Sequence, residues 1–267
     1  MPLAVCATPI GNLEDITLRV LAELRAADVV LAEDTRHTRG LLERHGISAR
    51  LLSLHEHNEA ARIAELVPRL AAGARLALVT DAGMPAISDP GARLVRAALD
   101  AGVEVTVLPG PSAVETALVA SGLATHRYAF IGFLPRKAGE LDALWRELAA
   151  WPWPIVAFES PHRVGASLRS LAGFDAERPV AICRELTKRF EEVARGGAEE
   201  LAARFSAEQP KGEVTLVIGA GTSVVDSSDA HAAVASLLKA GTPRKVAADV
   251  VSRLTAVPRN ELYRDTL

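Results

Sequence analysis

Short apolar, β-branched runs alternate along the chain with longer stretches in which apolar residues return every three or four positions. The runs Leu3 to Thr8, Val29 to Ala32, Leu51 to Leu54, Leu76 to Thr80 and Val103 to Leu108 predict strands, with helices between them near 17–27, 36–46, 58–72 and 90–101. Strands that are apolar throughout and separated by helices belong in a parallel sheet covered on both faces. The rhythm then changes. Tyr128 to Phe133, Ile155 to Glu159, Val180 to Arg184 and Val214 to Gly219 read as strands at wider spacing, with Trp151-Pro152-Trp153-Pro154 between the first two. The pattern predicts an α/β domain over 1–115, a second α/β domain over 116–222 and a helical tail over 223–267. In the tail, helical from Asp226, Pro243 and Pro258 sit where a helix begins. Lys239, Arg244, Lys245, Arg253, Arg259 and Arg264 outnumber Asp249, Glu261 and Asp265 there, so the tail reads as a small basic appendage.

Composition narrows the class. A chain of 267 residues buries one or two cores without help from disulfides or metals. Its two cysteines, Cys6 and Cys183, lie in apolar strand-like runs far apart and read as buried, reduced thiols. A net charge of -3 removes whole-molecule attraction to nucleic acid but leaves local basic patches open. Long uncharged stretches such as that between Glu213 and Asp226 are well short of the roughly 18 apolar residues of a membrane helix, so no membrane partner is expected. No basic residue precedes Arg19, which is unlike a secretory or transit segment, and the expected location is the cytoplasm.

Candidate chemistry gathers in loops that follow strand ends. Four such segments stand out: Thr8-Pro9-Ile10-Gly11-Asn12, Glu33-Asp34-Thr35-Arg36-His37-Thr38, Asp81-Ala82-Gly83-Met84-Pro85 and Pro109-Gly110-Pro111-Ser112. In open α/β sheets ligands bind at that edge, so the four converge on one crevice, although any single loop is explained as a tight turn. No complete G-x-G-x-x-G or phosphate-binding P-loop is present, which argues against a nicotinamide or nucleotide-hydrolysis site. His55-Glu56-His57 lacks a third ligand or a cysteine pair, so hydrogen-bonding histidines are expected there and no metal. There is no nucleophile elbow, and Ser112 sits where a helix N-cap belongs. Basic pairs follow strands of the second half: Arg136-Lys137, His162-Arg163, and the run Arg184-Glu185-Leu186-Thr187-Lys188-Arg189. With Arg36 and Arg39 they favour an anionic substrate, the plain alternative being a solvated rim.

As an ordered set these segments resemble a known family. Together with Leu13 and Asp15-Ile16-Thr17, His55 to Glu59, Ser88-Asp89-Pro90-Gly91, Gly132-Phe133-Leu134-Pro135, Glu159 to Arg163 and Asn260 to Tyr263, they are similar to the motif series of the small-subunit rRNA methyltransferase I family. The wider resemblance is to the tetrapyrrole methylase fold. It implies two α/β domains, with a mainly parallel sheet in the first and a mixed sheet in the second. It also implies S-adenosylmethionine between the domains, a homodimer, and transfer of a methyl group to a cytidine 2′-hydroxyl of small-subunit rRNA or the assembled subunit. By that resemblance Pro9, Gly11, Asn12, Asp81, Gly83, Met84, Ser112 and Ala113 line the cofactor, with Glu159, Leu186 and Gly212 approaching from the second domain. Met84 departs from the family, which often carries threonine there. Arg36, Arg39, Arg136, Lys137, His162 and Arg163 are the expected RNA contacts. Lys188, as a lysine whose pKa burial lowers, and Asp34, as a carboxylate at the cleft edge, are the candidate proton acceptors. A small-molecule methyltransferase of the same fold and a non-catalytic RNA-binding assembly protein stay open as rivals.

Overall fold

A computed structural model describes residues 2–221, 227–255 and 257–264. The first half builds β1 (Leu3–Cys6), α1 (Leu18–Ala26), β2 (Val29–Ala32), α2 (Thr35–Arg44), β3 (Leu51–Ser53), α3 (Glu59–Ala71), β4 (Leu76–Leu78), α4 (Ala92–Asp100) and β5 (Val105–Leu108). Its strands form one all-parallel sheet in the order β3-β2-β4-β1-β5. Every residue of β1, β2 and β4 is buried, as strands covered on both faces must be. One face packs Val20, Leu24 and Leu41 from α1 and α2, and the other packs Leu66, Leu70 and Leu94 from α3 and α4. Local chemistry starts these helices. Thr17 Oγ1 accepts the Val20 N–H at 3.2 Å to open α1, and Asp34 Oδ1 accepts the Arg36 N–H at 2.8 Å to open α2.

Helix α5 (Ala113–Ser121) opens just ahead of the boundary expected at 115–116 and packs on the second sheet. Val114, Ala117 and Leu118 meet Val156, Ala181, Cys183 and Val217 there, joined by Ile10 and Leu186. The remaining elements are β6 (Ala129–Phe133), α6 (Ala138–Leu148), β7 (Ile155–Glu159), α7 (Val164–Ala172), β8 (Pro179–Arg184), β9 (Glu192–Gly197), α8 (Ala198–Ala207) and β10 (Val214–Ile218). They give a mixed sheet in the order β6-β7-β10-β8-β9, in which only β6 and β7 run parallel. Helices α6, α7 and α8 cover its outer face through Leu141, Trp145, Leu168, Leu201 and Phe205. The pattern of the sequence did not predict β9. It is an edge strand that carries Glu192, Arg195 and two glycines, so it offers no apolar run. Both cysteines are buried free thiols, and burial pushes them up to about 12 for Cys6 and about 11 for Cys183.

The tail forms α9 (Ser227–Lys239), α10 (Arg244–Thr255) and α11 (Arg259–Arg264) around a small core of its own: Ala230, Val234, Ala247, Ala248, Val251, Val257 and Leu262. The helix start expected at Asp226 and the boundary expected at 222–223 lie outside the described residues. Among the described residues no helix is long and apolar enough to cross a membrane.

Candidate active site

The carboxyl ends of β1, β2, β4 and β5 and the facing edge of the mixed sheet enclose a cleft of about 810 Å³, within the range of small-molecule sites. All four expected loops reach it, through Ile10, Glu33, Asp81 to Met84, and Pro109, Gly110 and Ser112. From the second half come Phe130, Phe133, Phe158, Glu159, Leu186 and Gly212. Its walls are therefore largely apolar, with carboxylates on both sides: Glu33, Asp81 and Asp89 from the parallel sheet, Glu115 from α5, and Glu159 and Glu213 from the mixed sheet.

Three of these carboxylates, Glu33, Asp81 and Asp89, stand together on the parallel-sheet side. The Thr80 hydroxyl donates to Glu33 Oε2 at 3.0 Å, and the Asp34 N–H donates to Asp81 Oδ1 at 3.1 Å. Partial burial, reinforced by the negative charges of Glu33 and Asp81, pushes Asp89 up to about 6, against the opposing influence of the nearby Thr80 hydroxyl. Among the described residues no cation is one of the groups that act on Asp89. Glu33 and Asp89 lie in motifs quoted from the sequence but drew no role there. Their proximity is made by the ends of β2 and β4, which no local pattern reports.

Two loops facing the cleft hold non-glycine residues in the left-handed region, Ala86 and Ser88 on one side, Glu185 and Thr187 on the other. Such backbone is costly and collects where geometry serves a ligand. Gly83 has φ +81 and exchanges two backbone hydrogen bonds with Thr8, which fixes the turn against the cleft. Gly212 has φ +85, and a Cβ there would collide with the Glu185 carboxylate.

Eight of the expected cofactor residues line the cleft: Asp81, Gly83, Met84, Ser112, Ala113, Glu159, Leu186 and Gly212. Pro9, Gly11 and Asn12 do not. Pro9 is buried, and Ile10 is what that loop gives to the cleft. Gly11 is pressed against the second half, where a Cβ would sit 2.5 Å from Lys188 Cγ, and the Asn12 N–H donates to Thr187 Oγ1 at 2.9 Å. Both line a neighbouring open depression with Arg44, Lys188 and Arg189. Ser112 stands at the N-cap of α5 without capping it; its hydroxyl donates to Glu115, which also accepts the Tyr128 hydroxyl at 2.7 Å.

The two candidate proton acceptors are placed differently from expectation. Burial pulls the Lys188 pKa down, but its ammonium lies 2.9 Å from both Glu213 and Glu185, and these carboxylates outweigh burial and hold it above the ordinary lysine value. The lowering expected for Lys188 is therefore corrected to a rise. Asp34 lines no part of the cleft; hydrogen bonds from the backbone and side chain of Arg36 pull its carboxyl below the usual range, which makes it a weak base. Among the expected RNA contacts, Arg36, Arg39, Arg136, Lys137 and His162 are exposed. Arg163 is turned inward: it lies 3.2 Å from the buried Glu159 carboxylate and donates to the carbonyls of Leu134 and Pro135.

S-adenosylmethionine fits this donor set. A cationic sulfonium suits the Glu33, Asp81 and Asp89 carboxylates, the apolar walls suit the adenine and carbon chain, and the turn at Gly83 lets backbone approach closely. Ile10, Asp81, Gly83, Ala113 and Leu186 line the cleft where it would be held.

Comparison with known proteins agrees with this geometry. The model of the tetrapyrrole (corrin/porphyrin) methylases matches residues 2–202. A ribosomal RNA small subunit methyltransferase I from Micromonospora olivasterospora is 43% identical over 265 residues, 98% of this chain and 85% of that protein. Its counterpart from Synechocystis sp. is 41% identical over 270 residues, 99% of this chain and 97% of the other. The crystal structure of uroporphyrin-III-C-methyltransferase from Thermus thermophilus is 25% identical with a TM-score of 0.59, covering 81% of this chain and 93% of that one. The chain belongs to the tetrapyrrole methylases and, within them, to the small-subunit rRNA methyltransferase I family.

Proposed function

We propose that this S-adenosylmethionine-dependent methyltransferase methylates the ribose 2′-hydroxyl of a cytidine in small-subunit rRNA, acting in the cytoplasm as a homodimer on free rRNA or the assembled subunit. The observation that carries the reading is the division of charge at the cleft. Its interior presents Glu33, Asp81 and Asp89, with no cation among the described residues acting on Asp89, while Arg36 and Arg39 stand exposed on α2 and Arg136 and Lys137 on the loop after β6. The interior suits a cationic methyl donor and the rim suits phosphates. The names of the near-full-length relatives support rRNA as the substrate.

The bound donor supplies an activated methyl group on a positively charged sulfur. The chain's task is then to align the ribose oxygen and remove its proton, because a neutral hydroxyl is a poor nucleophile. Asp89, near 6, is ionised at neutral pH yet basic enough to accept that proton, and it suits the task better than Asp34 or Lys188. Lys188 instead ties Glu185 to Glu213 and so steadies the Gly212 wall. Arg163 braces the loop after β6, and Asp34 fixes the start of α2 beside Arg36.

The test supplies purified protein and methyl-labelled donor with small subunits lacking the modification, naked small-subunit rRNA, or a uroporphyrin-type tetrapyrrole. Label in an alkali-stable dinucleotide of the rRNA is the expected result. Label only in the tetrapyrrole, or none in any acceptor, overturns the proposal.

A further inference from the structure

Strand β6 carries an irregularity at the mouth of the cleft. Phe130 stands opposite Val156 of β7, but Phe133 stands opposite Phe158, so three steps on β6 match two on β7. In a regular strand, residues three apart point to opposite faces. One extra residue cancels that alternation, and Gly132, at φ +70, takes the backbone angle the bulge requires. Both phenylalanines consequently meet Phe158, with ring centroids 5.0 Å away for Phe130 and 5.4 Å for Phe133, each edge to face.

The two rings differ in exposure. Phe130 and Phe158 are half-buried, whereas Phe133 is 64% exposed while still lining the cleft. Core packing does not explain a ring left in water on an edge strand. The support beneath it is firm: Leu134 is buried, and the carbonyls of Leu134 and Pro135 receive Arg163, itself held by Glu159. Arg136 and Lys137 follow directly and are exposed. Across the mouth, a Cβ on Gly132 would lie 3.6 Å from Ser88 Oγ, so the bulge abuts the residue preceding Asp89.

The geometry points to Phe133 as the stacking platform for the base of the target nucleotide. This inference rests on the reading of RNA as substrate. A ribose that enters a cleft between two domains must leave its neighbours' stack, and the base it carries then needs a flat apolar partner outside the donor's pocket. Phe133 offers its ring there, beside cations for the flanking phosphates and next to the loop that holds Asp89. Every base has a π-face, so the platform holds the nucleotide without choosing its identity.

The experiment compares wild type, Phe133→Leu and Phe133→Trp in single-turnover methyl transfer across a titration of unmethylated small subunits, with donor affinity measured by calorimetry. Aromatic stacking of this kind predicts that Phe133→Leu raises the RNA concentration for half-maximal transfer roughly ten-fold or more. Phe133→Trp is expected to stay within about two-fold of wild type on the same grounds. Donor affinity is expected to be unchanged in both. Unchanged half-saturation and rate in Phe133→Leu overturn the platform while leaving the RNA reading intact. A parallel loss of donor affinity also overturns it, because the ring then packs against the donor. Failure of the wild type to methylate any RNA overturns both.

Discussion

The two sheets meet at one cleft with opposite chemistry. The parallel sheet ends in carboxylates that act on one another, Glu33 and Asp81 on Asp89, with no cation among the described residues that set Asp89. The mixed sheet ends in aromatic rings and in cations already matched: Arg163 with Glu159, Arg184 with Glu192, Lys188 with Glu185 and Glu213. A site that tolerates mutually repelling carboxylates on one wall while neutralising the other is arranged for a cationic ligand on the first wall. Buried charge that is matched internally builds the fold, whereas the exposed rim pairs, Arg36 with Asp34 and Lys137 with Glu140, are open to solvent and to phosphates.

The sharpest way to break this contrast is Asp89→Asn. If Asp89 accepts the proton of the attacking hydroxyl, single-turnover transfer at saturating donor and RNA should fall by about 100-fold or more near pH 8. With donor and RNA below saturation, the wild-type rate should decline as pH drops through about 6, as the carboxylate of the free protein is protonated. A variant with near-normal rate and an unaltered pH profile removes Asp89 from the chemistry. Next in size is Gly83→Val. A β-branched residue at φ +81 is strained by on the order of 1–3 kcal/mol wherever it has room, so donor affinity should fall about ten-fold or more by calorimetry while circular dichroism stays native.

The rim should respond more gently. Arg36→Ala and Arg136→Ala are each expected to weaken RNA binding several-fold and to lower the slope of its salt dependence by about one, with donor affinity unchanged. Arg163→Ala should behave differently, since its guanidinium serves Glu159 and the loop after β6; a lower melting temperature, rather than a flatter salt slope, is the expected signature. The smallest effect concerns stability. Asp89 titrates at about 6 in the fold against 3.8 for an ordinary aspartate, so its charge destabilises the folded chain above pH 6, and this cost disappears as pH falls toward 3.8. Because the carboxylate is only partly buried and is screened by solvent, Asp89→Asn should stabilise the protein by about 1 kcal/mol, less than the full shift implies, at pH 8 in urea titrations, and hardly at all at pH 4.

How much of this was legible beforehand follows from what each feature depends on. The strands of the parallel sheet and the loops after them announce themselves by unbroken apolar runs ending in glycine and proline, and all four loops reach the cleft. The ordered motifs identified the family. Strand β9 escaped because a charged, glycine-containing edge strand has no periodic signal. Lys188 was given the wrong direction of pKa shift because Glu213, distant in sequence, arrives beside it only through the pairing of β10 with β8. The family resemblance implies Gly11 and Asn12 as cofactor contacts; the structure sets them in the neighbouring depression, where Gly11 lies close against Thr187 and Lys188. Asp89 and Phe133 stood within quoted motifs, but burial beside like charges sets the first and a bulge sets the second.

One measurement bears most directly on the acidic wall as the seat of a cationic donor: calorimetric affinity for S-adenosylmethionine and for its uncharged-sulfur product S-adenosylhomocysteine, from pH 7.5 to 5, in wild type and Asp89→Asn. Protonation of Asp89 as pH falls through about 6 removes a negative charge from the wall. Affinity for S-adenosylmethionine should then drop several-fold, affinity for the product should change less, and the drop should vanish in Asp89→Asn. Equal, flat pH dependence for both ligands in the wild type would contradict the acidic wall as the donor's counter-charge.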